Sequence, residues 1–91
     1  MADVAITLRI MPTSPQEDLD GIIEKARALV EGFGGKVHTS TKKPVAFGLE
    51  AIEILFIMDE GKGSTEELEK QISGLPGVSS VDVVDVRRAI G

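Results

Sequence analysis

Two helical patterns, each flanked by stretches that alternate apolar and polar residues, predict an α+β fold with two helices laid on a sheet. The elements follow in the order strand, helix, strand, strand, helix, strand. Ninety-one residues, 42% apolar and 27% charged, suffice for one two-layer core, so residues 1–91 read as a single domain.

Residues 3–11, DVAITLRIM, set Val4, Ile6, Leu8 and Ile10 on one face and Ala5, Thr7 and Arg9 on the other. Period two with β-branched side chains is a half-buried strand. PTSP ends it, and Ser14-Pro15-Gln16-Glu17 then spells a helix start, with Ser14 as N-cap, Pro15 first in the helix and Glu17 completing a capping box. Leu19, Ile22, Ile23, Ala26, Leu29, Val30 and Phe33 continue at helical spacing, and EGFGG supplies the glycines that close the helix. Gly21 lies inside this helix, at a cost of about 1 kcal/mol against Ala, with no reason visible in the sequence.

Residues 36–42, KVHTSTK, read as a short edge strand, and Pro44 suits an edge or a turn. Residues 49–58, LEAIEILFIM, are the most apolar stretch and the central strand, with Ile52, Ile54 and Phe56 directed to the core and Leu55 and Ile57 to the open face. DEGKG breaks that strand, with Asp59 and Glu60 facing solvent. Ser64-Thr65-Glu66-Glu67 repeats the capping-box pattern, and Leu68 and Ile72 carry a shorter helix to Gly74. LPGVSSVDVVDV gives a turn and a last strand. The arrangement is ferredoxin-like: a βαββαβ two-layer sandwich, antiparallel sheet order 4-1-3-2, two helices on one face.

Composition removes several function classes. No apolar run approaches the ~20 residues of a membrane span, and the N-terminus lacks the pattern of a signal peptide. The expectation is therefore a cytoplasmic chain with no membrane partner. With no Cys there is neither a thiol nucleophile nor a thiolate metal site. A net charge of −5 and only three aromatic residues speak against direct binding of nucleic acid. His38 is the sole His and lacks partners for a metal site or a triad; a surface position explains it. Gly61–Thr65, GKGST, lacks the spacing of a phosphate loop, and a turn with a helix cap explains it. Asp82 and Asp85, three apart on a strand, are expected on opposite faces rather than as a catalytic pair. No catalytic residue, metal ligand or cofactor is expected, and the chain is not expected to be an enzyme.

Phe47, in KKPVAFGLEAI, stands among small residues at the mouth of the central strand. Alone it reads equally as core or as a contact for a partner. Lys42-Lys43 and Arg87-Arg88 are the two basic pairs, each explicable as a solvated edge or tail. Topology makes them more specific. The turn between strands two and three lies at one end of the sheet and the close of strand four at the other, roughly 30 Å apart and toward opposite edges.

PVAFGLEAI, the long C-terminal segment DEGKGSTEELEKQISGLPGVSSVDVVDVRR and the length together resemble archaeal elongation factor 1-beta, a family similar to the C-terminal exchange domain of the eukaryotic factor. The resemblance covers essentially the whole chain; Ala46-Phe47-Gly48-Leu49 and V-x-V-x-D-V-R-R are its most specific parts. It implies a guanine-nucleotide exchange factor in translation elongation, acting on the elongation factor 1-alpha GTPase in its GDP-bound and nucleotide-free states. It implies Pro44, Ala46, Phe47, Gly48, Arg87 and Arg88 as partner-binding residues. In the eukaryotic relatives the matching Phe docks into the partner's second domain, and a Lys near the C-terminus reaches the magnesium and phosphate region. Ungapped alignment puts Arg88 at that Lys, a departure that leaves Arg87 or Arg88 for the role, with Ala89-Ile90-Gly91 extending further. A monomer is expected for the free chain. The alternative is a ferredoxin-like regulatory or small-ligand-binding homodimer, formed through the open face of the sheet.

Overall fold

The structure is a computed structural model that describes residues 3–62 and 64–89. Its elements are β1 (Asp3–Pro12), α1 (Leu19–Phe33), β2 (Lys36–Pro44), β3 (Glu50–Asp59), α2 (Glu66–Ser73) and β4 (Val78–Ala89), with one-turn 3₁₀ segments at Ala46–Gly48 and Glu60–Lys62. Every strand pairing is antiparallel and the order is β2-β3-β1-β4, the order predicted, read from the other edge. The molecule is therefore the expected ferredoxin-like sandwich. Of the segment GKGST, Gly63 falls outside the described residues, as do Ile90 and Gly91.

The core lies between the sheet and the helices. Ile6, Leu8 and Ile10 of β1 and Ile52, Ile54, Phe56 and Met58 of β3 meet Ile22, Ala26 and Val30 of α1 and Leu68 and Ile72 of α2. The four-residue spacing on each helix is what lets one stripe face the sheet. Phe56 is fully buried, as its alternation predicts. Among the described residues no helix covers the opposite face, and Leu55 and Ile57 lie there half-buried.

Both helix starts differ from the sequence reading. The N-cap of α1 is Asp18, whose carboxylate accepts from the Gly21 amide at 3.2 Å. Ser14-Pro15-Gln16-Glu17 instead forms a turn closed by the Glu17 amide on the Ser14 carbonyl at 3.3 Å. Ser first and Pro second is equally the signature of such a turn. Glu17 accepts from the Thr13 hydroxyl at 2.6 Å rather than capping the helix. Gly21 now has its reason: a Cβ there would lie 2.6 Å from Asp18 Oδ2, so the capping carboxylate occupies the space. The second helix starts one residue later than the capping box implied. Thr65 is its N-cap, Ser64 Oγ accepts from the Glu66 amide, and the Thr65 hydroxyl donates to Glu69 rather than Glu67.

Three bulges break the register, at His38 of β2 and at Ser79 and Val84 of β4. Each adds a residue that faces no partner, so the alternation of side chains resets beyond it. The Val84 bulge corrects one expectation. Asp82 stands opposite Arg9 and Asp85 opposite Thr7, so both aspartates lie on the open face rather than on opposite faces. His38 is exposed at its bulge.

Candidate partner-binding ends

The connection from β2 to β3 is five residues long and tightly closed. The Val45 amide donates to the Leu49 carbonyl at 2.8 Å, and the Leu49 amide donates to the Ala46 carbonyl at 3.3 Å. Phe47 has φ 64°, ψ 29° and Gly48 has φ 74°. Two successive left-handed residues inside an i to i+3 hydrogen bond match a type I′ turn, the hairpin turn whose twist suits the flanking strands. Asn, Asp or Gly normally fills its first central position. Here it is Phe47, the only non-glycine residue with positive φ among those described. The conformation costs an L-residue about 1–2 kcal/mol. The side chain recovers none of that by packing, because Phe47 is 94% exposed. Of the two readings open in the sequence, the core reading of Phe47 is excluded.

The lysines ahead of the turn are exposed as well, but each is engaged in an ion pair of its own domain. Lys42, opposite Ile52 on the helix-covered side, reaches Asp20 of α1 at 2.8 Å. That hydrogen bond, with the Asp20 charge behind it, raises the Lys42 pKa above its usual value. Lys43 points to the open face and lies 3.4 Å from Glu53. Glu53 also accepts two hydrogen bonds from the Arg9 guanidinium, at 2.9 and 3.2 Å. The Arg9 hydrogen bond holds the Glu53 carboxyl below its ordinary range; burial opposes it, and Lys43 adds a further lowering. Lys42 and Lys43 thus link β2 to α1 and to the middle of the sheet through solvent-exposed pairs, while the base of the Phe47 turn is held by the Val45–Leu49 backbone hydrogen bond.

At the other end, Arg87 stands opposite Ala5 on the open face and Arg88 opposite Val4 on the helix-covered side. Arg87 pairs with Asp85 at 2.9 Å, and Arg88 with Glu60 at 3.2 Å. The two side chains are 80% and 73% exposed, so the pairs are solvated and loosely held. Adjacent strand residues diverge, and Arg87-Arg88 is therefore two separate cations rather than one patch. Pro44 pairs with Glu50 at one limit of the sheet, while Asp3 lies level with both Asp59 and Ala89 at the other. The ten residues of β3 between those limits span roughly 30 Å. Pro44, Ala46, Phe47 and Gly48 gather at the first end, and Arg87 and Arg88 lie at the second, on the far edge strand.

Among the described residues, no group of three His, Cys, Asp or Glu side chains is placed to hold a metal ion. No helix there is long and apolar enough to cross a membrane.

The model of the EF-1 guanine nucleotide exchange domain matches residues 5–89. The chain belongs to that family. Its curated relatives include the protein named elongation factor 1-beta of Methanothermobacter thermautotrophicus, 36% identical over 97% of this chain and 98% of that one. That of Thermofilum pendens is 40% identical over the full length of both. The EF-1 exchange family serves guanine-nucleotide exchange in translation elongation, and the resemblance read from Ala46-Phe47-Gly48-Leu49 and the C-terminal strand is confirmed. Solved structures add the fold alone. The ACT domain from the GTP pyrophosphokinase of Chlorobium tepidum superposes with a TM-score of 0.61 at 17% identity, over 90% of this chain and 99% of that one. A homoserine dehydrogenase from Thiobacillus denitrificans gives 0.64 at 15% identity, over 90% of this chain and 17% of its own.

Proposed function

We propose that this chain promotes GDP release from elongation factor 1-alpha by gripping it at two points. The Phe47 turn anchors one domain of the GTPase, and an arginine at the close of β4 enters the magnesium and phosphate region of the nucleotide-binding domain. Bound GDP is held largely through its phosphates and Mg²⁺. A guanidinium brought there competes with the metal for anionic ligands, so nucleotide and metal are loosened together. No covalent bond is made or broken by the exchange factor. Its whole effect is differential affinity: it binds the nucleotide-free GTPase more tightly than the GDP-bound one, and linkage then weakens GDP binding by the same factor.

One observation carries this reading. A bulky aromatic side chain is held in a left-handed turn, 94% exposed, with no packing inside its own domain to offset the strain. Strain retained without an internal return is a mark of a functional position. A Phe fully buried in a partner pocket contributes about 1.5–3 kcal/mol. The excess of Asp and Glu behind the net charge of −5 favours approach to a basic partner surface. The alternative of a ligand-binding homodimer has only the likeness of fold behind it. Release of a fluorescent GDP analogue from elongation factor 1-alpha, with and without this chain, is the direct test. Acceleration at substoichiometric concentration is expected; an unchanged release rate at saturating concentration overturns the proposal.

A further inference from the structure

Lys42 and Lys43 stand just ahead of the Phe47 turn, and Glu50 stands directly after it. Both lysines are committed inside the domain, Lys42 to Asp20 and Lys43 to Glu53. Of the carboxylates nearby, Asp20 and Glu53 complete those pairs, and Asp18 caps α1. Glu50 differs from all of them. It stands opposite Pro44 at the limit of the sheet, on the side of Ile52, and is exposed. Its charge is felt at Lys42, whose raised pKa comes first from the Asp20 hydrogen bond and charge, with burial opposing and Glu50 adding less. Yet among the described residues Glu50 joins no ion pair and no side-chain hydrogen bond. The turn therefore presents an apolar knob with one uncommitted anion three residues behind it, no more than about 11 Å along the chain.

Resting on the exchange reading above, we infer that Glu50 is a specificity-determining contact of the anchor end, pairing with a basic side chain on the rim of the pocket that receives Phe47. A pocket that buries Phe47 brings its rim against the residues flanking the turn. Pro44, Val45, Ala46, Gly48 and Leu49 have no ionic group to meet that rim, which leaves Glu50. An ionised carboxylate only accepts hydrogen bonds, and a Lys or Arg is its strongest donor. Against an apolar or acidic rim the same carboxylate would lose water without gaining a partner, so it also rejects the wrong pocket. Phe47 supplies the buried area, and Glu50 selects which pocket accepts it.

Stopped-flow binding to nucleotide-free elongation factor 1-alpha at low and high salt separates these roles. A rim charge acts mainly on the association rate and its salt dependence, whereas a buried anchor acts on dissociation. Glu50→Gln should weaken binding about two- to fivefold, chiefly through slower association, and should flatten the salt dependence. Glu50→Arg should weaken it further. The melting temperature should stay nearly unchanged in both, because the side chain holds nothing in its own domain. Glu31→Gln removes the same charge near the other end of α1, roughly 16 Å from Asp20, and should have a clearly smaller effect. Equal effects of Glu50→Gln and Glu31→Gln would reduce Glu50 to a share of the net charge and overturn the inference. Wild-type affinity in Glu50→Arg would overturn it too. If Phe47→Ala weakens binding and Glu50→Arg does not, this inference falls alone; if wild type does not bind the GTPase at all, both readings fall.

Discussion

Replacing Phe47 with Asn should make the protein more stable and less active at once. Asn adopts the left-handed conformation far more readily than Phe, and the backbone at φ 64°, ψ 29° needs no change to accept it. The strain held by Phe47 is about 1–2 kcal/mol, and Asn relieves roughly half of it. Loss of packing is negligible against that, since the ring is 94% exposed. A net gain of about 0.5–1 kcal/mol corresponds to a rise of roughly 2–6 °C in Tm for a chain this small. The same substitution removes an aromatic anchor of about 1.5–3 kcal/mol, so affinity for elongation factor 1-alpha should fall about ten- to hundredfold. Calorimetric melting and a binding titration on one preparation measure both. A Tm several degrees below wild type would mean that Phe47 packs within its own domain, and the account of an outward anchor would fail. Unchanged affinity with raised Tm would leave the strained turn without a role in binding.

Arg87→Ala/Arg88→Ala should slow stimulated GDP release more than it weakens docking, as separate release and binding measurements would reveal; equal effects on both would make the arginines simple docking contacts. Glu53→Gln should cost about 1 kcal/mol at neutral pH, because Glu53 joins Arg9 and Lys43 across three strands and Arg9 is itself partly exposed. The Glu53 pKa is depressed in the fold, so its contribution is full above about pH 4.5 and is lost as pH falls through the lower folded value. Denaturation of both proteins from pH 7 to pH 2 should show the difference shrinking at the acid end; a difference that grows there contradicts the ion cluster. Gly21→Ala, normally worth about 1 kcal/mol in a helix, should give little in wild type because it displaces the Asp18 cap, and its full value in an Asp18→Ala background. Additive effects in that double-mutant cycle would separate Gly21 from the cap.

The strands, helices and their order were legible because burial imposes period two on β1 and β3 and period 3.6 on α1. Local signals were less decisive, since Ser14-Pro15-Gln16-Glu17 satisfies a turn and a capping box equally, and only Asp18 in place separates them. A bulge shifts the phase of the alternation without marking which residue is the extra one. An unpaired Val84 among valines looks like any strand residue, yet it returns Asp85 to the face of Asp82. The exposure of Phe47 was hidden for a different reason. A type I′ turn advertises itself by Asn-Gly or Asp-Gly, and Phe-Gly carries only half of that signature.

The proposed grip depends on the sheet as a spacer. Phe47 and the arginines of β4 are joined through β3, β1 and β4 by continuous ladders, so their separation is set by the sheet rather than by a tether. The Val45–Leu49 hydrogen bond holds the turn at its base, and the Lys43–Glu53 pair links β2 to the middle of the sheet. A rigid spacer that matches its two sites raises the effective concentration of the second contact once the first is made. The anchor at Phe47 then need not be strong by itself, and the arginine contact need not survive alone. The proposed grip moves the exchange equilibrium only if its spacing fits the nucleotide-free GTPase better than the GDP-bound one, because only such a difference in affinity shifts it. A substitution that loosens the link from β2 to the middle of the sheet, such as Glu53→Gln, should therefore reduce exchange further than its stability cost alone predicts. GDP-release rates measured well below its melting temperature, where the variant is fully folded, should show that loss; a wild-type rate would show that the spacing has slack to spare.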